Sequence, residues 1–217
     1  MSKTAAHIRY RTKDGAIVPG VTTVLSVLAK PALVPWANKL GLQGIDVTKY
    51  VDDKAAIGTL AHAMVTDKLT GKETDTADFS AKQIAAAENS AASFWEWEKA
   101  NHIESVHFVE TPLVSEIHRY GGTQDIFCKI GVKNVLIDLK TGKGIWPEHT
   151  YQVAALKELL FEHGYEVDDV RVLNIPRAEG ESFSEKICTP KQIERGLSIF
   201  THCLSIYTLV KDGRGEK

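Results

Sequence analysis

The sequence predicts a mixed α/β fold: a central mixed β-sheet flanked by helices, with a helical N-terminal region. Three observations predict it. The first hundred residues carry mainly helical periodicity. The remainder reads in order as three strands, a helix, two strands and a helix, an alternation that suits a sheet covered on both faces. The run Val135-Leu136-Ile137-Asp138-Leu139 is apolar and β-branched enough to be a buried strand. With 217 residues the chain can bury a sizeable core. One domain is expected over 1–217, with a mainly helical part and a small hairpin in 1–101 and the sheet core with C-terminal helices in 102–211.

The elements follow from local signals. Residues 7–11 and 16–18 flank Lys13-Asp14-Gly15, a D-G hairpin turn. Thr22 or Thr23 can cap a helix that runs to Lys30, where Pro31 stops it. Pro35 opens a short helix over 36–42. Asp46 or Thr48 starts a long helix to about Leu69, closed by Gly71, and 75–78 is a polar loop. Residues 80–101 form an alanine-rich helix with a stripe through Ile84, Ala87, Ala91, Phe94, Trp95 and Glu98, and Phe94, Trp95 and Trp97 read as core. Residues 103–114 read as a strand with Val106, Phe108 and, after a break, Glu110 on one face. A strand hairpin covers about 120–140. Trp146-Pro147 begins a helix to His163, capped by Gly164. Residues 170–175 and 182–187 form a hairpin around Ala178-Glu179-Gly180, and Thr189-Pro190 starts a last helix to about Lys211, with a frayed tail.

Composition bounds the function. The chain is 43% hydrophobic and 25% charged, as soluble globular proteins are. No apolar run approaches the roughly 18 residues that span a membrane. The start, Met1-Ser2-Lys3-Thr4-Ala5-Ala6-His7, leads into no apolar signal region. A cytoplasmic protein without membrane partners is expected. Cys128, Cys188 and Cys203 are odd in number and scattered, which suits a reduced compartment and falls short of the four ligands an iron–sulfur cluster needs. The net charge of −2 counts against tight, non-specific nucleic-acid binding. It does not exclude a catalytic cleft rich in carboxylates.

Such a cleft has candidates. Asp138 and Lys140 stand two apart on the apolar strand, so both side chains leave from one face. Burying them is costly unless they are paired or hold a metal. Gly121-Gly122-Thr123-Gln124-Asp125 reads as a turn entering a strand. Residues 126–134, with Gly131 and Asn134 at the turn, let Asp125 and Asp138 converge at one end of the sheet. Taken alone, Asp138 and Lys140 could be a plain sheet-face salt bridge, Asp125 a turn aspartate and His62 a core or surface histidine.

Asp125 followed by Asp138-Leu139-Lys140 resembles the PD-(D/E)xK nucleases. Gly58-x-x-x-His62 on a helix, Gly121-Gly122-x-x-Asp125, Asp138-x-Lys140-Thr141-Gly142 and Gln152-x-x-Ala155-Leu156 follow in the order of that superfamily's RecB-like branch. The branch includes Cas4-like nucleases, phage exonucleases and the mitochondrial genome-maintenance exonuclease. The match spans about Gly58 to Leu156, and the ends of the chain fit loosely. The resemblance implies a restriction-endonuclease-like core and a metal-dependent DNA exonuclease in recombination, repair or replication, with phage sources among the relatives. It implies Mg²⁺ or Mn²⁺, one or two ions, held by His62, Asp125, Asp138 and the Leu139 backbone carbonyl. An imidazole among the ligands suits Mn²⁺ better. Lys140 would act beside the metal as base, water orienter or transition-state stabiliser. Glu110 could bind a second metal, hold Lys140 or be an ordinary strand residue. Gln152, Tyr151, Thr141, Lys143, Arg119 and Tyr120 are the candidate DNA contacts, and Trp36 and Trp146 could stack on a strand. A recombination or replication protein is a further possible partner. A structure-specific endonuclease, a catalytically silent DNA-binding protein of the same fold, and an unrelated α/β enzyme with a chance D-x-K are the competing readings.

Overall fold

Five strands pair in the order β1 (Ile103–Val114), β2 (Gly121–Ile130), β3 (Lys133–Lys140), β4 (Asp169–Asn174) and β5 (Ser184–Ile187). This computed structural model describes residues 9–178 and 180–215. All neighbours are antiparallel except β3 and β4. A parallel pair needs a long crossover, and the helix Pro147–Glu162 supplies it. The expected mixed sheet with helices on both faces is therefore what forms.

Among the described residues, six helices surround the sheet: α1 (Val21–Leu25), α2 (Leu33–Leu42), α3 (Val47–Leu69), α4 (Ala81–Asn101), α5 (Pro147–Glu162) and α6 (Pro190–Gly215). The alternation along β3 assigns them to faces. Val135, Ile137 and Leu139 pack with α3 and α4. Leu136 packs with α1, α5 and α6. Each fully buried side chain of this size contributes about 1.5–3 kcal/mol, so β3 is the axis of both cores. Asp138 and Lys140 share the parity of Leu136 and belong to the α5 face. Both long helices of the opposite face start from side-chain caps. The Asp46 carboxylate accepts from the Thr48 and Lys49 N–H groups and begins α3, and Ser80 with Gln83 forms a capping box on α4. Among the described residues no helix is long and apolar enough to cross a membrane.

The local expectations need several corrections. The N-terminal hairpin reduces to one bridge, Arg11 with Ile17, and its first residues, His7 and Ile8, lie outside the described residues. α1 ends at Leu25, and Gly20 caps it without a side-chain bond. Val27 and Leu28 donate three residues back, to Val24 and Leu25, so the chain tightens into turns before Lys30. α2 starts at Leu33, which leaves Pro35 in the first turn, where a missing N–H costs nothing. Val106 pairs with Cys128 and Phe108 with Phe127, so a bulge at His107 puts the two on opposite faces. The β2–β3 turn is Gly131-Val132, with Gly131 at φ 57°, and Asn134 lies inside β3 opposite Lys129. The β4–β5 connection is pinned by the ion pair of Arg177 with Glu181 at 2.7 Å, and Glu179 lies outside the described residues. α6 runs past Lys211 to Gly215.

Candidate metal centre

The sheet opens where its chemistry lies. Pairing of β2 with β3 ends at Ile126 and Ile137. Beyond that pair, the Leu139 N–H has no strand partner and donates instead to Asp125 Oδ2 at 2.7 Å. The face alternation of β2 breaks at the same place. Gln124 turns its amide towards the Leu156 carbonyl of α5, while Ile126 packs with α3 and α4. Opposite Asp125 on β1 stands Glu110, with φ at 44°. There too the pleat is reset, since Val109 lies against the α3–α4 core and Leu113 against the α5 core. A left-handed backbone at a non-glycine residue costs of order 1–3 kcal/mol and persists only where the surrounding structure holds it. Both carboxylates thereby leave the regular pleat and face the gap.

α3 brings the third group. His62 Nδ1 lies 3.7 Å from Asp125 Oδ2 and 4.0 Å from Glu110 Oε1. The three donor atoms all fall within 4.8 Å of one another. These spacings are too long for hydrogen bonds. They are close to the spacings of donors around one ion: at metal–ligand distances of about 2.1 Å, octahedral neighbours are roughly 3.0 Å apart and opposite ligands roughly 4.2 Å, so a shared ion would draw the side chains in by about 1 Å or less. Electrostatics agree. Burial, and next the Lys140 charge, hold the His62 pKa down at about 4, so the imidazole keeps a free lone pair at neutral pH. Burial, then Asp125 and Asp67, push Glu110 up to about 7. Burial also raises Asp125, against the pull of Lys140 and of the Leu139 N–H. This is a carboxylate cluster short of positive charge. The Lys140 carbonyl accepts from Ile175 on the β4 side. The Leu139 carbonyl, one residue away, therefore points to the β2 side and borders the same gap.

Asp138 stands next to this group rather than within it. Its Oδ1 accepts from Gln152 Nε2 at 3.1 Å, and its Oδ2 lies 2.6 Å from Lys140 Nζ. The Asp138 side chain is 1% exposed, and Oδ2 finds no well-directed hydrogen bond. The Lys140 ammonium takes up one lone pair of this oxygen, and the second is left for another cation. Burial raises the Asp138 pKa although Lys140 opposes it. Lys140 and Gln152 also line a cavity of about 480 Å³ on the α5 side, with Lys30 and His149. The lysine is held by Asp138 and not by Glu110.

Gly58, one turn before His62, sets the depth of α3. A Cβ there would stand 2.7 Å from Thr141 Oγ1. Gly58→Ala gains about 1 kcal/mol of helix propensity but overpacks this contact, at a cost of about 1–3 kcal/mol. The expected result is little net stability change and a Mn²⁺ affinity lowered about tenfold, because His62 moves with the helix. Adding Thr141→Ala removes the clashing hydroxyl. It should restore affinity and raise the melting temperature above wild type, as titration calorimetry and thermal unfolding would show.

The other sequence candidates divide. Thr141, Lys143 and Trp146 border His62 across an open groove. Gln152 reaches Asp138. Tyr151 packs at the α5 core and lines a separate cavity with Lys186 and Arg195. Tyr120 is a correction: it is fully buried, and its hydroxyl donates to the Ala155 carbonyl, so it is out of reach of DNA. The two glycines after it are closely packed, Gly121 under Tyr10 and Gly122 against Leu156. Arg119 is exposed. Its guanidinium is paired with Asp14 at 3.1 Å, on the N-terminal turn. Sequence reasoning missed Lys54 and Arg177, which border the groove from α3 and from the β4–β5 connection. No short motif contains them, and only the fold brings them to the site.

No family model matches the chain, and no curated protein is significantly similar to it. Several solved structures align with it. A candidate exonuclease from Eubacterium rectale shares 13% identity over 72% of this chain and 68% of its own, with a TM-score of 0.49. SSO0001 shares 12% identity over 69% of this chain and 73% of its own, with a TM-score of 0.34. Neither likeness is close enough to carry a fold or an activity across.

Proposed function

We propose that this chain is a metal-dependent deoxyribonuclease of the PD-(D/E)xK type, an exonuclease that trims DNA ends in recombination, repair or replication. The observation that supports it most is the convergence of His62, Glu110 and Asp125 beside the buried Asp138–Lys140 pair, at the point where the sheet opens. His62, Glu110, Asp125 and the Leu139 carbonyl would hold a divalent ion, with the free Asp138 lone pair at its border. Their oxygen-rich set with one imidazole suits Mn²⁺ or Mg²⁺. When bound, such an ion polarises the phosphate and acidifies water. The remaining work falls to the chain. Lys140, whose charge is felt at both His62 and Asp125, would offset charge that builds on the phosphate oxygens. Asp138 fixes the lysine, and Gln152 fixes Asp138. In the net reaction water adds its oxygen to phosphorus, one ester P–O bond breaks and the leaving oxygen takes a proton.

The test is degradation of end-labelled single- and double-stranded DNA, linear and circular, with Mn²⁺ or Mg²⁺. Trimming of linear DNA from one end with circles intact is the expected result, and it gives the polarity directly. Cleavage of circles would make the protein an endonuclease on the same site. DNA bound but intact under both metals would overturn the enzymatic reading.

A further inference from the structure

The groove that leads to His62 has a composition unlike the rest of this acidic chain. It encloses about 650 Å³ between α2, the N-terminal half of α3 and the segment after β3. Three cations border it, Lys54, Lys143 and Arg177, with no carboxylate among its lining residues. Three aromatic rings border it as well: Trp36, Tyr50 and Trp146. These rings are not core. Trp146 is 55% exposed and Trp36 36%. Trp36 and Tyr50 meet edge to face at 6.1 Å, which holds one ring upright beside the other. Lys54 lies 5.5 Å over the Tyr50 ring. Lys54 is also 3.8 Å from Asp53, and Arg177 is held by Glu181 at 2.7 Å. Lys143, exposed on the segment after β3, is the cation with the freest access to a phosphate.

We infer that this groove is the track for one unpaired DNA strand, with bases stacked on Trp36 and Trp146 and phosphates on Lys143, Lys54 and Arg177, so that the enzyme takes single-stranded ends. The inference rests on the nuclease reading above and adds its substrate. Aromatic rings stack on any base, but only on a base whose face is free, and a duplex offers none along its length. A cavity of this size is on the scale of one small-molecule ligand, roughly a nucleotide or two, and far too narrow for a double helix. Cations spaced among the rings follow the backbone and make binding salt-dependent without base preference. The site lies at one end of the groove, where His62 forms its wall.

The experiment is fluorescence anisotropy of the full chain in Ca²⁺ with a labelled single-stranded oligonucleotide and a blunt hairpin. It compares wild type with Trp146→Ala, Trp36→Ala and Lys143→Ala. All three side chains are exposed, so the variants test binding rather than folding. Wild type is expected to prefer the single strand. Each tryptophan variant should weaken single-strand binding by about tenfold, with hairpin affinity changed less than twofold. Lys143→Ala should lower the salt slope by about 0.7, one phosphate contact on a single strand. Single-strand affinity unchanged in both tryptophan variants, or equal wild-type affinity for hairpin and single strand, overturns the inference. Hydrolysis of bis(p-nitrophenyl) phosphate by wild type with Mn²⁺ tests the metal centre separately, because that substrate has no base to stack. Its cleavage together with unmoved tryptophan variants removes the groove alone. Its absence together with a tryptophan-dependent single-strand preference removes the nuclease and leaves the groove.

Discussion

Lys140→Ala is expected to lower DNA hydrolysis by about 10²–10⁴-fold, the usual loss when a positioned proton-transfer or charge-stabilising group is removed. The same substitution should also destabilise the metal-free protein. Asp138 is 1% exposed and has Lys140 as its paired cation, at 2.6 Å. Removing one partner of a buried pair costs about 3–5 kcal/mol. Here the lower end applies, because the Lys140 side chain is 20% exposed and partly screened. Asp138 would respond by holding a proton to higher pH than it already does. A divalent ion near its free lone pair would replace the missing charge. The variant should therefore melt lower than wild type in chelator and recover much of the difference in Mn²⁺, while activity stays lost. Activity within threefold of wild type would remove Lys140 from the chemistry. An unchanged melting temperature in chelator would show that the Asp138–Lys140 pair contributes little to the fold.

Much of this site was legible because it is written in local sequence. A buried strand interrupted by Asp138 and Lys140 two places apart can place them only on one face, and they sit on one face, in contact. Gly58 before His62 signalled close approach, and the missing Cβ is what lets Thr141 in. Glu110 was harder to weigh. Regular alternation would have made it one more strand glutamate. It joins the donors because both β1 and β2 lose their alternation at its level, with a left-handed backbone no residue type announces. Asp138 was expected among the ligands from the resemblance. One of its carboxylate oxygens accepts from Gln152, a contact that depends on how α5 crosses the sheet. Tyr120 was named as a DNA contact by residue type, and its burial against Phe200 of α6 and the Ala155 carbonyl of α5 is set by the tertiary fold. Periodicity resolves which face a residue takes while the pleat is regular, and this site is built where it is not.

Asp125 offers the second large effect, and two substitutions separate its roles. The carboxylate is a donor in the His62–Glu110 group and also accepts the Leu139 N–H at 2.7 Å, in place of a strand partner. Asp125→Asn keeps an acceptor for that N–H and removes the charge. Asp125→Ala removes both and leaves a buried N–H unpaired, at a cost of about 1–3 kcal/mol. Both variants should lose Mn²⁺ affinity by about 100-fold or more in calorimetric titration and fall to background on DNA. Only the alanine variant should also melt at a lower temperature. The asparagine variant can even gain stability in chelator, since burial and Glu110 make the native carboxylate unwelcome when no cation is present. That gain would distinguish a metal ligand from a structural aspartate: a residue kept for folding does not leave the empty protein more stable when its charge is removed. If the asparagine variant instead binds Mn²⁺ like wild type, Asp125 serves only to hold Leu139, and the ion has to be sought between Asp138 and the Leu139 carbonyl.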